Sequence, residues 1–90
     1  MECSLVIRSL NEADRLRLTL TSLAVQSTPP EVVVVDDGST DHTRAVVEEY
    51  SGRLRLKSIH NPTPQGRSAA SNAGARLASG DVVLFLDGDT

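Results

Sequence analysis

Four consecutive valines, Val32 to Val35, stand between Glu31 and Asp36 near the middle of this chain. An uninterrupted β-branched run has no polar face to give to water. It predicts a strand over 31–36 buried on both sides, the pattern of a parallel sheet with helices covering each face. Asp81-Val-Val-Leu-Phe-Leu86 has the same character and predicts a second such strand. Ser4-Leu-Val-Ile-Arg8 is a shorter β-branched strand. In Leu54-Arg-Leu-Lys-Ser-Ile59 apolar and polar residues alternate, which predicts one wet face and a place near a sheet edge.

Helical spacing fills the intervals. Leu16, Leu20 and Leu23 fall at i, i+4 and i+7 within a helix over 12–26, with Asn11 as its cap and Pro29-Pro30 as its stop. A second helix over 42–50 has Ser39 or Asp41 as cap. A third, over 67–79, places Ala69, Ala73 and Leu77 on one stripe, with Gly80 as its C-terminal cap. The order β-α-β-α-β-α-β implies an α/β fold with a Rossmann-like parallel sheet, right-handed crossovers and helices on both faces. Ligands of such sheets bind at the carboxyl ends of the strands. The functional residues are therefore expected just after positions 8, 36, 59 and 86.

Composition narrows the function. Nine basic against 12 acidic residues give a net charge of −3 with no block of like charge, which points away from nucleic acid and anionic membranes. The longest apolar runs fall far short of the ~20 residues that span a bilayer. Cys3 is the one cysteine, and no secretory signal follows Met1, so a reducing, cytoplasmic setting is expected. Only Tyr50 and Phe85 are aromatic. A core so poor in large side chains suggests that residues 1–90 are the N-terminal part of a larger domain, incomplete at Thr90.

The strand ends are acidic. Arg8-Ser-Leu-Asn-Glu12 follows the first strand, Asp36-Asp-Gly-Ser-Thr-Asp41 the second, and Asp87-Gly-Asp89 the fourth. Glu12, Asp36, Asp37, Asp87 and Asp89 at one edge repel one another unless a cation or hydrogen-bond donors offset them. Asp87 and Asp89, at the end of an apolar strand, suit a hard divalent cation such as Mg²⁺ or Mn²⁺, with phosphate oxygens completing its shell. Arg67, beside the free N–H groups of a helix start, suits a phosphate. His60 reads as a loop residue. Neither a dinucleotide fingerprint nor a P-loop is present, and no nucleophile elbow or Cys–His pair is apparent.

Four motifs together, Ser4-Leu-Val-Ile-Arg-Ser-Leu-Asn-Glu12, Val35-Asp-Asp-Gly-Ser-Thr-Asp-His-Thr43, Gly66-Arg-Ser-Ala-Ala-Ser-Asn-Ala-Gly74 and Phe85-Leu-Asp-Gly-Asp89, resemble the N-terminal, donor-binding half of a family 2 glycosyltransferase. The resemblance runs through the whole chain. It implies the A-type nucleotide-diphospho-sugar fold with strand order 3-2-1-4, and inverting, metal-assisted transfer of a sugar from a nucleotide-diphosphate sugar to an acceptor hydroxyl. It places Arg8, Ser9, Leu10 and Glu12 in the loop that holds the nucleotide. Asp37 would meet the base, commonly uracil. Asp87 would lie near the ribose and metal, and Asp89 would bind Mn²⁺ or Mg²⁺ on the diphosphate. The catalytic base is expected beyond Thr90.

Three positions depart from the family pattern. Arg8 stands where Pro is frequent, Leu10 where an aromatic is, and Ser71 where Arg is. The first two bear on base identity, the third on a phosphate or packing contact that Arg67 could take over. A nucleotidyltransferase of related fold is the alternative within this architecture, and a non-catalytic remnant that binds nucleotide or docks on a partner is the alternative outside it. An unfinished sheet would also leave the fourth strand free to self-associate.

Overall fold

A computed structural model describes residues 2–87. Seven elements alternate: β1 (Cys3–Ser9), α1 (Ala13–Ala24), β2 (Glu31–Asp37), α2 (Thr43–Tyr50), β3 (Leu56–Asn61), α3 (Arg67–Leu77) and β4 (Val82–Asp87). The four strands form one parallel sheet in the order β3-β2-β1-β4. The all-valine strand is buried along its whole length. Because strand side chains alternate between faces, its valines serve two cores. Val32 and Val34 join Ile7, Leu16, Leu20, Val46 and Tyr50 under α1 and α2. Val33 and Val35 join Val6 and Ala70 under α3. No helix among the described residues is long and apolar enough to cross a membrane.

Five local expectations shift. The third strand runs Leu56–Asn61 rather than 54–59, because Leu54 N–H turns back to the Tyr50 carbonyl, 3.2 Å away, and its side chain joins the core below α2. His60 therefore lies inside β3, not in a loop. The buried stripe of α3 is Ala70 and Gly74, one position on from Ala69 and Ala73. A Cβ at Gly74 would stand 2.3 Å from Val6 Cγ1, so the helix rests directly on the sheet. Gly80 does not cap α3, whose cap is Ala78 in extended conformation. Gly80 sits instead where β1 passes, and a Cβ there would stand 2.6 Å from Ser4 Oγ.

Asn11 adopts φ 54° instead of capping α1. Its N–H donates to Ser39 Oγ (3.0 Å) and its Oδ1 accepts from Thr40 N–H (2.7 Å), which ties the loop after β1 to the loop after β2.

Candidate functional site

The carboxyl edge of the sheet is built from the ends of its four strands. Asp36 and Asp37 end β2 and, being consecutive, point to opposite faces. Asp36 lies on the side of α1 and α2. It accepts from Ser39 N–H at 3.1 Å and pairs with His60 Nδ1 at 3.1 Å, its register partner on β3. Asp37 lies on the side of α3 and is 0% exposed. Its Oδ1 accepts from Asn61 Nδ2 (2.9 Å) and Gln65 N–H (2.8 Å). Its Oδ2 accepts from Gly66 N–H (3.1 Å) and from Arg8 Nε (3.0 Å), and the Arg8 Nη2 atom of the same ion pair also lies 3.0 Å away.

Burial, the largest single influence on Asp37, raises its pKa, but the donors from Gln65, Asn61, Arg8 and Gly66 outweigh it and leave the carboxyl below its ordinary value. Asp41 follows the same balance. Its pKa, raised by burial, ends up lowered by hydrogen bonds from Thr43 and Ala13. The buried acids of this edge are thus offset by protein donors. Among the described residues no group of three His, Cys, Asp or Glu could hold a metal ion.

Gly38, with φ 85°, locks the edge. A Cβ there would stand 2.5 Å from Pro64 N and 2.7 Å from Thr63 C, so only glycine lets the loops after β2 and β3 touch. The residues expected at the nucleotide are distributed around this frame. Arg8 and Ser9 end β1, with Arg8 in register with Val35 on one side and Asp87 on the other. Ser9 is buried, and its Oγ has no hydrogen-bond partner among the described residues. Leu10 is half-buried, and Glu12 lies 3.6 Å from Arg15. Arg67 is exposed on the first residue of α3. Asp87 ends β4, while Asp89 lies outside the described residues.

Sequence reasoning missed Asn61, Gln65 and Gly66 as the cradle of Asp37, and His60 as the partner of Asp36. Backbone N–H donors carry no sequence mark. The Asn61-Pro62 step and Gly66 were the available signals of a shaped loop.

The family model for glycosyl transferase family 2 matches residues 4–90. The chain belongs to that family. It is 50% identical over 88 residues to validoxylamine A glucosyltransferase of Streptomyces hygroscopicus subsp. limoneus, covering 93% of this chain and 19% of that protein. It is 39% identical to the poly(ribitol-phosphate) beta-N-acetylglucosaminyltransferase TarS of Staphylococcus aureus (strain Mu50), covering 99% of this chain and 16% of that protein. The chain therefore spans less than a fifth of either relative.

Among solved structures, S. aureus TarS 1-349 in complex with UDP-GlcNAc superposes with a TM-score of 0.90, over 99% of this chain and 27% of that one, at 39% identity. The mannosyltransferase PcManGT of Pyrobaculum calidifontis, in complex with GDP-Man and Mn²⁺, gives 0.88 at 30% identity, over 98% of this chain and 27% of that one. The family 2 fold, with its sheet order of 3-2-1-4, is common ground.

Proposed function

We propose that this family 2 chain carries the donor site of a glycosyltransferase that moves a sugar, with inversion, from a nucleoside-diphosphate sugar to an acceptor hydroxyl. The observation that carries the reading is the edge where β1 lies between β2 and β4. There the sheet order reverses, which is where ligands enter such folds, and there Arg8, Ser9, Asp37 and Asp87 end three neighbouring strands. Leu10 and Glu12, in the loop after β1, flank the nucleotide. Arg67 and the first turn of α3 take the diphosphate, since helix N-termini offer N–H groups to anions.

The donor set also suits a divalent cation. Asp36, Asp37 and Asp41 are committed to protein donors, which leaves Asp87 and Asp89 as the carboxylates to hold Mn²⁺ or Mg²⁺, hard oxygen ligands for a hard ion. When bound, such an ion supplies Lewis-acid stabilisation of charge on the departing diphosphate. The protein's own part here is to bind and orient the donor. None of the buried carboxylates at this edge is assigned as general base, because each is already held by donors.

Titration calorimetry of uridine diphosphate, with and without Mn²⁺, tests the reading on the parent and on Asp89→Ala. Metal is expected to tighten binding in the parent and to have little effect in the variant. Equal affinities in all four conditions would remove the metal role.

A further inference from the structure

We propose that Asn11 is a positioning residue of the donor site: clasped by Ser39 and Thr40, it fixes the shape of the loop after β1 before any nucleotide arrives. The inference rests on the donor-site reading above. It goes beyond that reading by naming what sets the affinity from outside the ligand's own contacts.

The loop between β1 and α1 is Leu10 to Glu12, and its middle residue takes a conformation that side chains resist. Asn11 has φ 54°, the one positive φ of a non-glycine residue among the described residues. In that left-handed region Cβ crowds a carbonyl oxygen, and asparagine enters it more readily than most because its short side chain can hydrogen-bond the backbone. Here the partners lie 28 or 29 positions away. Asn11 N–H donates to Ser39 Oγ (3.0 Å), and Asn11 Oδ1 accepts from Thr40 N–H (2.7 Å) and from the Thr40 hydroxyl (3.3 Å).

The loop after β2 is the fixed half of this clasp. Ser39 N–H donates to Asp36 Oδ1 (3.1 Å) at the end of the buried valine strand. Asp41 holds Ala13 N–H at the head of α1 and Thr43 N–H at the head of α2. The loop after β1 is thus anchored before its start, where Ser9 lies in register with Asp36, and after its end, at Ala13. The turn at Asn11 decides the path between the two anchors, and with it the directions taken by Leu10 and Glu12, the residues that flank the nucleotide in the donor-site reading. A loop already held in one shape has little freedom left to lose on binding. A loop released from the clasp must be ordered by the ligand, which weakens affinity without removing a contact.

The test is calorimetric titration of UDP and, separately, of inorganic pyrophosphate, each with Mn²⁺, on the full-length protein. Asn11→Gly suits φ 54° without strain but drops the Oδ1 acceptor. Ser39→Ala drops the other half of the clasp and leaves its backbone N–H on Asp36. Each is expected to bind UDP about tenfold more weakly than the parent, the cost of ordering the loop, with Tm lowered by no more than a few degrees. The double variant should be weakened by less than the product of the two, because neither half holds the loop well alone. Ser39→Thr keeps the hydroxyl and should bind UDP to within about threefold of the parent. Pyrophosphate lacks the nucleoside beside which the loop lies, and its affinity should be the same in all variants.

UDP affinity within about threefold of the parent in either folded single variant overturns the proposal. So does a double variant weakened by the full product, or a Ser39→Thr protein as weak as Ser39→Ala. Affinity for UDP and pyrophosphate lost together, in step with Tm, makes the clasp a structural tie and also overturns it. A parent that binds no UDP overturns the donor-site reading itself, and this inference with it.

Discussion

Glu31 stands at the opposite end of β2 from Asp37, and the chain treats the two carboxylates alike. Glu31 Oε1 accepts from Ser4 Oγ and Ser79 N–H, each at 2.9 Å, and Oε2 from Ser79 Oγ (2.8 Å) and Lys57 Nζ (3.1 Å). The Ser79 backbone N–H is the main cause that lowers its pKa from 4.5 to about 2, against the opposing effect of burial. A carboxyl depressed on folding stabilises the protein above its unfolded pKa. That contribution is lost as pH falls from about 4.5 toward about 2. Glu31→Gln is therefore expected to cost on the order of 1–2 kcal/mol at neutral pH, allowing for solvent around the half-exposed Lys57. The difference from the parent should shrink as pH approaches 2 in urea-unfolding series. A difference independent of pH would mean that the ionised carboxylate is not what stabilises this end. Neither acid could be read in this role beforehand. The sequence marks Asp37 as an acid at a buried strand end, but most of what it meets is backbone N–H or a residue about 24–29 positions away.

At the scale of the element, one side chain starts two helices. Asp41 Oδ2 accepts from Ala13 N–H (3.2 Å) at the head of α1, and Oδ1 accepts from Thr43 N–H (3.0 Å) and from the Thr43 hydroxyl at the head of α2. Neither helix has a side-chain hydrogen bond from its own N-cap residue, so Asp41 takes over that role for both. Losing both caps in Asp41→Ala is expected to cost roughly 1–3 kcal/mol, a fall of several degrees or more in Tm for a chain of this size. Asp41→Asn, which keeps one acceptor oxygen, should fall between the two. An Asp41→Ala protein with parental Tm would show that water caps both helices equally well. The alternation of strands and helices was legible because unbroken valines mark a doubly covered strand, and the leucine spacing of α1 fixed its buried face. The register of α3 was not. Its contact with the sheet is made by Ala70 and Gly74, and a face chosen for smallness leaves no hydrophobic period to read.

At the scale of the molecule, the two edges of the sheet are unequal. β3 is an edge strand that carries Lys57 and ends before Pro62, and a charge and a proline both discourage further pairing. β4 pairs with β1 alone among the described residues, and from Val82 to Leu86 it carries no charge. Leu84 and Phe85, adjacent and thus on opposite faces, are 55% and 57% exposed. A cleft of about 540 Å³ lined by Leu5, Leu23 and Leu84 opens beside the strand, at the end of the sheet away from the candidate site. Val83 and Leu86 pack against the two cores, but Leu84 and Phe85 leave apolar surface beside an edge that no other described strand pairs, the combination that drives edge-to-edge association. Residues 1–90 produced alone are expected to self-associate at concentrations on the order of 100 µM, as measured by sedimentation velocity. Phe85→Lys, which places a charge on that edge, should shift the population toward monomer while far-ultraviolet circular dichroism stays parental. Two results would count against β4 as the contact: a parent that sediments as monomer throughout, or association that Phe85→Lys leaves unchanged.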